Sequence, residues 1–204
     1  MPGRLFLTRP LVDLAVALGV DVPQDEDPPR HNIVPGQDLL VLTRAGLTHM
    51  RWGLIPVGRK NARGRPVMDT IINVRGETVF EKSAFAGTVR ALIPVDGWYE
   101  WTGERRKKQT WCIWPKDGSF LTFAGITDVW TAPGGLTISQ IALVTCPPSE
   151  DVRLLHHRMG VVVAPEDRQM WLTGTENEAR ALIKSAPNNT LRHKKADDVD
   201  WKAP

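Results

Sequence analysis

The middle of the chain contains the run Leu92-Ile93-Pro94-Val95-Asp96-Gly97-Trp98-Tyr99-Glu100-Trp101. The apolar run Ala91 to Val95 and the aromatic run Trp98 to Thr102, on either side of Asp96-Gly97, each predict a β-strand. Three more candidate strands follow, separated by turn residues: Thr110 to Trp114, Phe120 to Ala124 and Leu136 to Thr145. Residues 91 to 146 are therefore predicted to be mostly β-structure.

The flanking segments add helices and further strands. Upstream, Leu11 to Leu18 has apolar residues at helical spacing and predicts a helix, and the acidic, Pro-rich segment Asp21 to Arg30 predicts a loop. Leu39 to Thr43 and Leu47 to Leu54 predict a hairpin across Ala45-Gly46. Downstream, the pattern predicts one strand and two helices: Met159 to Val163, Pro165 to Leu172 and Glu176 to Lys184. The fold class is therefore predicted to be α+β.

Composition limits the class of protein. The chain has 204 residues, of which 42% are hydrophobic and 24% charged, as in an ordinary globular protein. From Ser185 onward the sequence turns polar, which predicts one domain over residues 1–184 and a loose polar tail over 185–204. No apolar run approaches the length of a membrane span, so we expect no membrane contact. With two cysteines the chain is no disulfide scaffold, so a reducing cytoplasm is the expected compartment. Only Cys112 and Cys146 could pair, and no His or Cys spacing is typical of a metal site, so no metal and no cofactor is expected.

The basic residues and the tryptophans leave a nucleic-acid partner open. The net charge is +3, and the chain has eight Trp against one Tyr. Arg59 to Arg65 and Arg105 to Lys108 are basic runs, which are usually solvated faces. Together with the rings of Trp52 and Trp98, they could instead follow a phosphate backbone while the rings stack on bases.

Three polar clusters are candidates for chemistry, each with a plainer alternative. The segment Asn73 to Thr78 follows an apolar pair and is either a site or a turn. Glu100 lies among aromatic residues, which would raise its pKa and suit an acid or base, or it simply faces solvent. His156-His157 could supply one catalytic imidazole, or could be surface or core residues. Both cysteines lie in apolar, strand-like contexts, where buried and inert thiols are the common case.

The order of seven motifs is more informative than any one cluster. They are Met1-Pro2-Gly3-Arg4, His31-Asn32-Ile33-Val34-Pro35, Arg51-Trp52-Gly53-Leu54-Ile55-Pro56, Ile72-Asn73-Val74-Arg75-Gly76-Glu77-Thr78, Asp96-Gly97-Trp98-Tyr99-Glu100-Trp101, Phe123-Ala124-Gly125 and His156-His157-Arg158-Met159. The series resembles the SRAP family, the SOS response-associated peptidases. That family shows Met-Cys-Gly-Arg, Tyr-Asn-Ile-Ala-Pro, Trp-Gly-Leu-Ile-Pro, Asn-Ala-Arg-Ala-Glu-Thr, Asp-Gly-Phe-Tyr-Glu-Trp, Phe-Ala-Gly and His-Asp-Arg-Met in the same order. The resemblance spans about residues 1 to 173 and implies a curved or barrel-like β core with a few flanking helices.

The resemblance also implies an activity and a set of residues. Family members recognise abasic sites in single-stranded DNA as monomers, and an exposed N-terminal Cys forms a thiazolidine crosslink with the sugar aldehyde. The carried-over catalytic positions are Pro2, Asn73, Glu100 and His156. The carried-over DNA contacts are Arg4, Asn32, Trp52 and Arg75. Asn73 would orient the amine or sugar, Glu100 would be the acid or base, and His156 would assist ring opening and proton transfer.

Position 2 departs from the family, because this chain has Pro2 where the family has the crosslinking Cys. Without a thiol at the terminus no thiazolidine can form, but removal of Met1 would leave the secondary amine of Pro2. One hypothesis is an abasic-site lyase, in which this amine forms an iminium and β-elimination follows. The second is a catalytically silent protein that binds single-stranded DNA, nucleoid-associated when bound. The third, the peptidase sense of the family name, has only Met1 to remove.

Overall fold

The computed structural model describes residues 1–23, 27–56, 63, 69–104, 107–132, 134–197 and 199–201. The strands in these ranges are β1 (Leu5–Leu7), β2 (Arg30–Ile33), β3 (Asp38–Thr43), β4 (Gly46–Trp52), β5 (Asn73–Arg75), β6 (Val89–Val95), β7 (Gly97–Thr102), β8 (Gln109–Pro115), β9 (Leu121–Thr131), β10 (Thr137–Cys146), β11 (Met159–Gly160) and β12 (Leu191–Lys195). The helices are α1 (Leu11–Leu18), α2 (Arg168–Thr173) and α3 (Glu176–Ala181), with 3₁₀ turns at Gly76–Thr78, Ser83–Phe85 and Pro165–Asp167. The α+β class with a β-rich core is confirmed. The basic runs Arg59 to Arg65 and Arg105 to Lys108 lie largely outside the described residues.

Five strands close into a barrel in the order β10-β4-β3-β6-β9, because β9 pairs with β10 as well as with β6. The β3–β4 hairpin turns at Ala45, with Thr43 opposite Gly46, as the sequence predicts. The end of β10 continues beyond this ring and pairs with β5 and β11: Thr145 is opposite both Arg75 and Gly160. One short segment on each edge of β10 is thereby held at the same end of the barrel.

A second sheet has the antiparallel order β12-β8-β7-β1-β2. The dipeptide Asp96-Gly97 joins β6 of the barrel to β7 of this sheet, so one motif connects the two layers. A side chain at Gly97 would collide with the carbonyl oxygen of Ile113 and the ring of Phe6. The glycine therefore lets β7 lie close to both of its neighbours.

Three tryptophans pack in the core. Trp52, Trp98 and Trp171 are fully buried. Trp98 of the second sheet meets Phe123 of the barrel edge-on, with ring centroids 5.4 Å apart. The indole N–H of Trp171 in α2 donates to the carbonyl oxygen of Ala91 over 2.9 Å, which satisfies its one polar group inside the core.

Three predictions of irregular structure are wrong in part. Asn73–Arg75 is a strand and not a turn, Arg30 begins β2 instead of ending a loop, and Leu191–Lys195 pairs with β8 instead of lying loose in a tail. In each case pairing with a distant strand supplies backbone hydrogen bonds that no local pattern shows. The division into a domain of residues 1–184 and a tail of 185–204 stays a prediction. Within the described residues, no helix is long and apolar enough to cross a membrane.

Candidate functional site

Strand pairing brings the start of the chain to Glu100. β1 lies antiparallel to β7, with Leu5 opposite Trp98, and the N–H of Tyr99 donates to the carbonyl oxygen of Arg4 over 3.0 Å. The residues that precede β1 therefore run alongside the second half of β7. The α-amine of Met1 lies 2.9 Å from Oε1 of Glu100, and only 4% of the Glu100 side chain is exposed. The half-exposed terminal residue and the buried carboxylate thus form an ion pair.

Asn73 holds the segment that carries this amine. Its Nδ2 donates to the carbonyl oxygen of the buried Pro2 over 2.7 Å. Its Oδ1 is buried and has no hydrogen-bond partner among the described residues. An unpartnered buried acceptor costs about 1–3 kcal/mol. This oxygen is therefore available to accept a hydrogen bond from a ligand.

His156 lies near the amine, just before β11. Its Nδ1 lies 3.0 Å from the backbone N–H of Arg158, and its ring stacks on His157 with centroids 4.3 Å apart. Burial lowers the pKa of His156 to about 4, and the neighbouring N-terminal amine and His157 act in the same direction. The imidazole is therefore neutral at pH 7 and able to accept a proton.

Burial and mutual attraction act in opposite directions on the pKa values of the Met1 amine and Glu100. Burial raises the pKa of Glu100, while the amine and the Trp98 indole oppose that shift. Burial lowers the pKa of the Met1 amine from its ordinary 8.0; Glu100 opposes this shift and Arg158 adds to it. Both shifts favour the uncharged forms of the pair. The site can therefore present a deprotonated amine beside a group able to take or give a proton.

Arg158 is a member of the site that the sequence reasoning did not single out. It is buried, donates to both carboxylate oxygens of Glu77, and donates from Nη2 to the carbonyl oxygen of Thr145 over 2.7 Å. It thus ties the Gly76–Thr78 turn to the end of β10. The signal was available, because Arg158 and Glu77 both fall within the motifs of the family series.

The structure groups the predicted catalytic residues in one place, and the predicted DNA contacts lie elsewhere or apart from one another. Pro2, Asn73, Glu100 and His156 come together around the N-terminal amine, although their catalytic roles stay predictions. Of the four predicted DNA contacts, Arg4 and Asn32 form a pair, with Nη1 of Arg4 2.7 Å from Oδ1 of Asn32. Arg75 is exposed on β5.

The base-stacking alternative left open for Trp52 and Trp98 does not fit this structure, whereas the DNA-contact role of Trp52 stays a prediction. Both side chains are fully buried, and the indole N–H of Trp52 donates to the carbonyl oxygen of Ile72 over 2.9 Å. Neither ring has an open face for a base. The sequence could not distinguish a core tryptophan from a stacking one, because both occur beside polar residues.

Neither thiol is set up to react as a thiolate. Burial raises the pKa of Cys112 to about 11 and that of Cys146 to about 12, so both thiols stay protonated at neutral pH. Within the part of the chain that the structure describes, no group of three or more His, Cys, Asp or Glu side chains could hold a metal ion.

Comparisons with known families and proteins agree with this arrangement. The family model described as SOS response associated peptidase (SRAP) matches residues 1–199. Abasic site processing protein YoqW of Bacillus subtilis is 29% identical over 210 residues, covering 98% of this chain and 90% of that protein. Abasic site processing protein HMCES of Gallus gallus is 31% identical over 169 residues, covering 70% of this chain and 50% of that protein.

Solved structures share the fold. A protein from Bacteroides thetaiotaomicron superposes with a TM-score of 0.81 over 96% of this chain and 92% of its own, at 19% identity. A phage-related protein from Bordetella bronchiseptica reaches a TM-score of 0.70 at 26% identity, over 96% of this chain and 94% of its own.

Proposed function

Because the chain belongs to the SOS response associated peptidase (SRAP) family, we propose that it processes abasic sites in single-stranded DNA through its N-terminal amine. Relatives named abasic site processing proteins support the substrate. The observation that carries the proposal is that the start of the chain lies against the buried Glu100, with the α-amine of Met1 2.9 Å from its Oε1. Removal of Met1 would place the amine of Pro2 as the terminus of this same segment. A burial-lowered pKa leaves part of the Met1 amine deprotonated near neutrality, as a nucleophile requires.

The reaction begins at the aldehyde carbon of the ring-opened sugar. The amine nitrogen attacks this carbon, the carbinolamine loses water, and a positively charged iminium forms. Glu100 takes the proton released by the attacking amine and returns a proton to the departing hydroxyl. The iminium draws electrons from the neighbouring C2′–H bond; a base removes that proton, and the 3′ phosphate leaves. Hydrolysis of the iminium then regenerates the amine.

His156 suits the removal of the C2′ proton. With a pKa of about 4, its imidazole is neutral at pH 7. Its Nδ1 accepts from the N–H of Arg158, and release of that hydrogen bond would free the lone pair for the C2′ proton. Asn73 suits the positioning of the nucleophile, because its Nδ2 holds the carbonyl oxygen of Pro2. The unpartnered Oδ1 of Asn73 can accept from a sugar hydroxyl.

Two amines can serve, depending on whether Met1 is removed. Removal leaves Pro2 as the terminus, and its secondary amine gives an iminium that cannot lose a proton from nitrogen, which favours β-elimination. With Met1 retained, the nitrogen of Pro2 is an amide and the primary amine of Met1 is the nucleophile, one residue further out. We propose the Pro2 amine as the nucleophile; mass measurement of the purified chain identifies the terminus.

A second candidate function is binding without chemistry. It is favoured by the missing thiol at position 2 and by the high pKa values of Cys112 and Cys146, which exclude them as substitutes at neutral pH. In that case Asn73 and Glu100 would position DNA without reacting.

The test uses a labelled single strand with one abasic site, resolved on a denaturing gel with and without borohydride. We expect strand cleavage without reductant and a trapped adduct with it, both formed much more slowly by Glu100→Gln. Glu150→Gln is the matched control, because that side chain is 59% exposed and pairs only locally with Arg153. Uncut DNA without an adduct, despite binding on a native gel, would leave only the binding function. Pro2→Cys should convert the transient adduct into a crosslink that survives heating.

A further inference from the structure

The C-terminal Trp201 lies in an aromatic and cationic cradle on the second sheet. Its ring meets Tyr99 edge-on at 5.1 Å and Trp101 at 5.7 Å, measured between ring centroids. The guanidinium of Arg4 lies 5.7 Å from the centre of the same ring. Nδ2 of Asn32 donates to the backbone carbonyl oxygen of Trp201 over 2.7 Å. We call these four partners the Trp201 cradle.

The groups of the cradle are held in place by contacts that do not involve Trp201. Tyr99 and Trp101 are two residues apart on β7 and project to the same face, while the contact between Arg4 and Asn32 fixes the polar side. Two aromatic faces, a guanidinium and a side-chain amide are the groups by which proteins hold an unpaired nucleobase. Glu100 projects to the opposite face of β7. The cradle would therefore hold a base that flanks the lesion, not the abasic sugar itself.

The segment that precedes Trp201 is acidic in sequence. In the sequence Asp197, Asp198 and Asp200 precede the indole, so an anionic stretch carries a planar aromatic ring. β12 tethers the segment: the N–H of Ala196 donates to the carbonyl oxygen of Thr110, and Asp197 accepts from Gln109. The Trp201 residue is still 38% exposed, far more than the buried core tryptophans, and the family match ends at residue 199.

We propose that the Trp201 cradle is a nucleobase-binding subsite for single-stranded DNA, which Trp201 occupies until DNA displaces it. This inference rests on the proposed function, because it assumes that the ligand is single-stranded DNA. A tethered competitor lowers apparent affinity by the fraction of molecules whose cradle is open.

The test measures binding of an undamaged, fluorescein-labelled 20-nucleotide strand by anisotropy at fixed salt, so that no covalent step contributes. We expect Trp201→Ala to tighten the dissociation constant by about three- to tenfold and Trp201→Phe to lie between the two. Adding Trp101→Ala to Trp201→Ala should abolish the gain, because the base then loses its stacking partner. Val129→Ala, an exposed residue on β9, is the control and should bind as the parent chain does.

A second measurement follows the ring itself. In protein labelled with 5-fluorotryptophan, the ¹⁹F resonance missing from Trp201→Phe belongs to Trp201, and we expect it to shift when the strand is added. Equal or weaker binding by Trp201→Ala, or an unmoved resonance at saturating DNA, overturns the inference and leaves the proposed function standing. If neither the parent chain nor Trp201→Ala binds the strand, the inference fails, and the cleavage and trapping assay with an abasic strand decides the proposed function separately.

Discussion

Two carboxylates of one motif, Asp96 and Glu100, have pKa values shifted in opposite directions, although both side chains are buried. Burial alone would raise the pKa of each. For Asp96 the N–H and hydroxyl of Thr8 and the side chain of Arg9 outweigh burial, and its pKa falls below the ordinary 3.8. For Glu100 the amine and the Trp98 indole do not outweigh burial, and its pKa rises above 4.5.

The number and kind of donors explain the difference. Asp96 accepts from two backbone N–H groups, a hydroxyl and a guanidinium, which keep it ionised and join β1 to the loop before β7. Glu100 has an ion-pair partner that is itself partly buried and readily deprotonated. Asp96 therefore stabilises the fold, whereas Glu100 is able to exchange a proton. Four experiments test this contrast.

The largest expected effect is on chemistry. Glu100→Gln should lower the single-turnover rate of borohydride-trapped adduct formation by about 10²-fold or more, since it removes the group that moves the proton. Asp96→Asn should change this rate by only a few-fold where the protein is folded. Equal losses in the two variants would show that the two carboxylates do not have separate roles.

The second effect is on stability. Asp96→Asn should lower the free energy of unfolding by about 1–3 kcal/mol at pH 7, because the Arg9 side chain loses its anionic partner. Since the folded pKa of Asp96 is depressed, its contribution is present above pH 3.8 and is lost as the pH falls through the lower, folded value. Urea titrations should show the gap between variant and parent closing in acid. A gap that widens there would contradict the assignment.

Removing the Thr8 hydroxyl, a neutral donor, should lower the free energy of unfolding by less. Thr8→Val removes the hydroxyl that lies 3.0 Å from Oδ2 of Asp96 but keeps the backbone N–H bond, and should cost about 0.5–1.5 kcal/mol. The same urea titration measures it. In an Asp96→Asn background the cost should shrink; strict additivity would place the hydroxyl's contribution elsewhere.

The smallest expected effect is a shift in the pH dependence of the trapping rate. The trapping rate of the Met1-retaining chain should rise with pH through an amine pKa below 8.0. Glu100 raises that pKa, so Glu100→Gln should move the midpoint to lower pH while burial and Arg158 continue to depress it. A midpoint that moves upward would mean that the carboxylate does not act on the amine.

Much of the candidate site could be inferred from the sequence because its residues lie inside ordered motifs. Asn73 and Glu100 were singled out by type and position, and the structure brings both to the chain terminus. Trp52 fell inside a motif too, yet its ring is fully buried, because burial depends on which face of β4 meets the core. Trp201 had no local signal, since its partners come from the N-terminal segment, β2 and β7.

The sequence by itself determined the strand-rich class, the motif series and the replacement of a thiol by Pro2, because residue types and local periodicity are written in the chain. The tertiary structure alone decided the closed barrel, the ion pair of Met1 with Glu100 and the opposite titration of Asp96 and Glu100. It also decided which tryptophans are core and where Trp201 lies. The physical reason is that pKa values, burial and stacking depend on neighbours about a hundred residues or more away, which only strand pairing brings within a few ångströms.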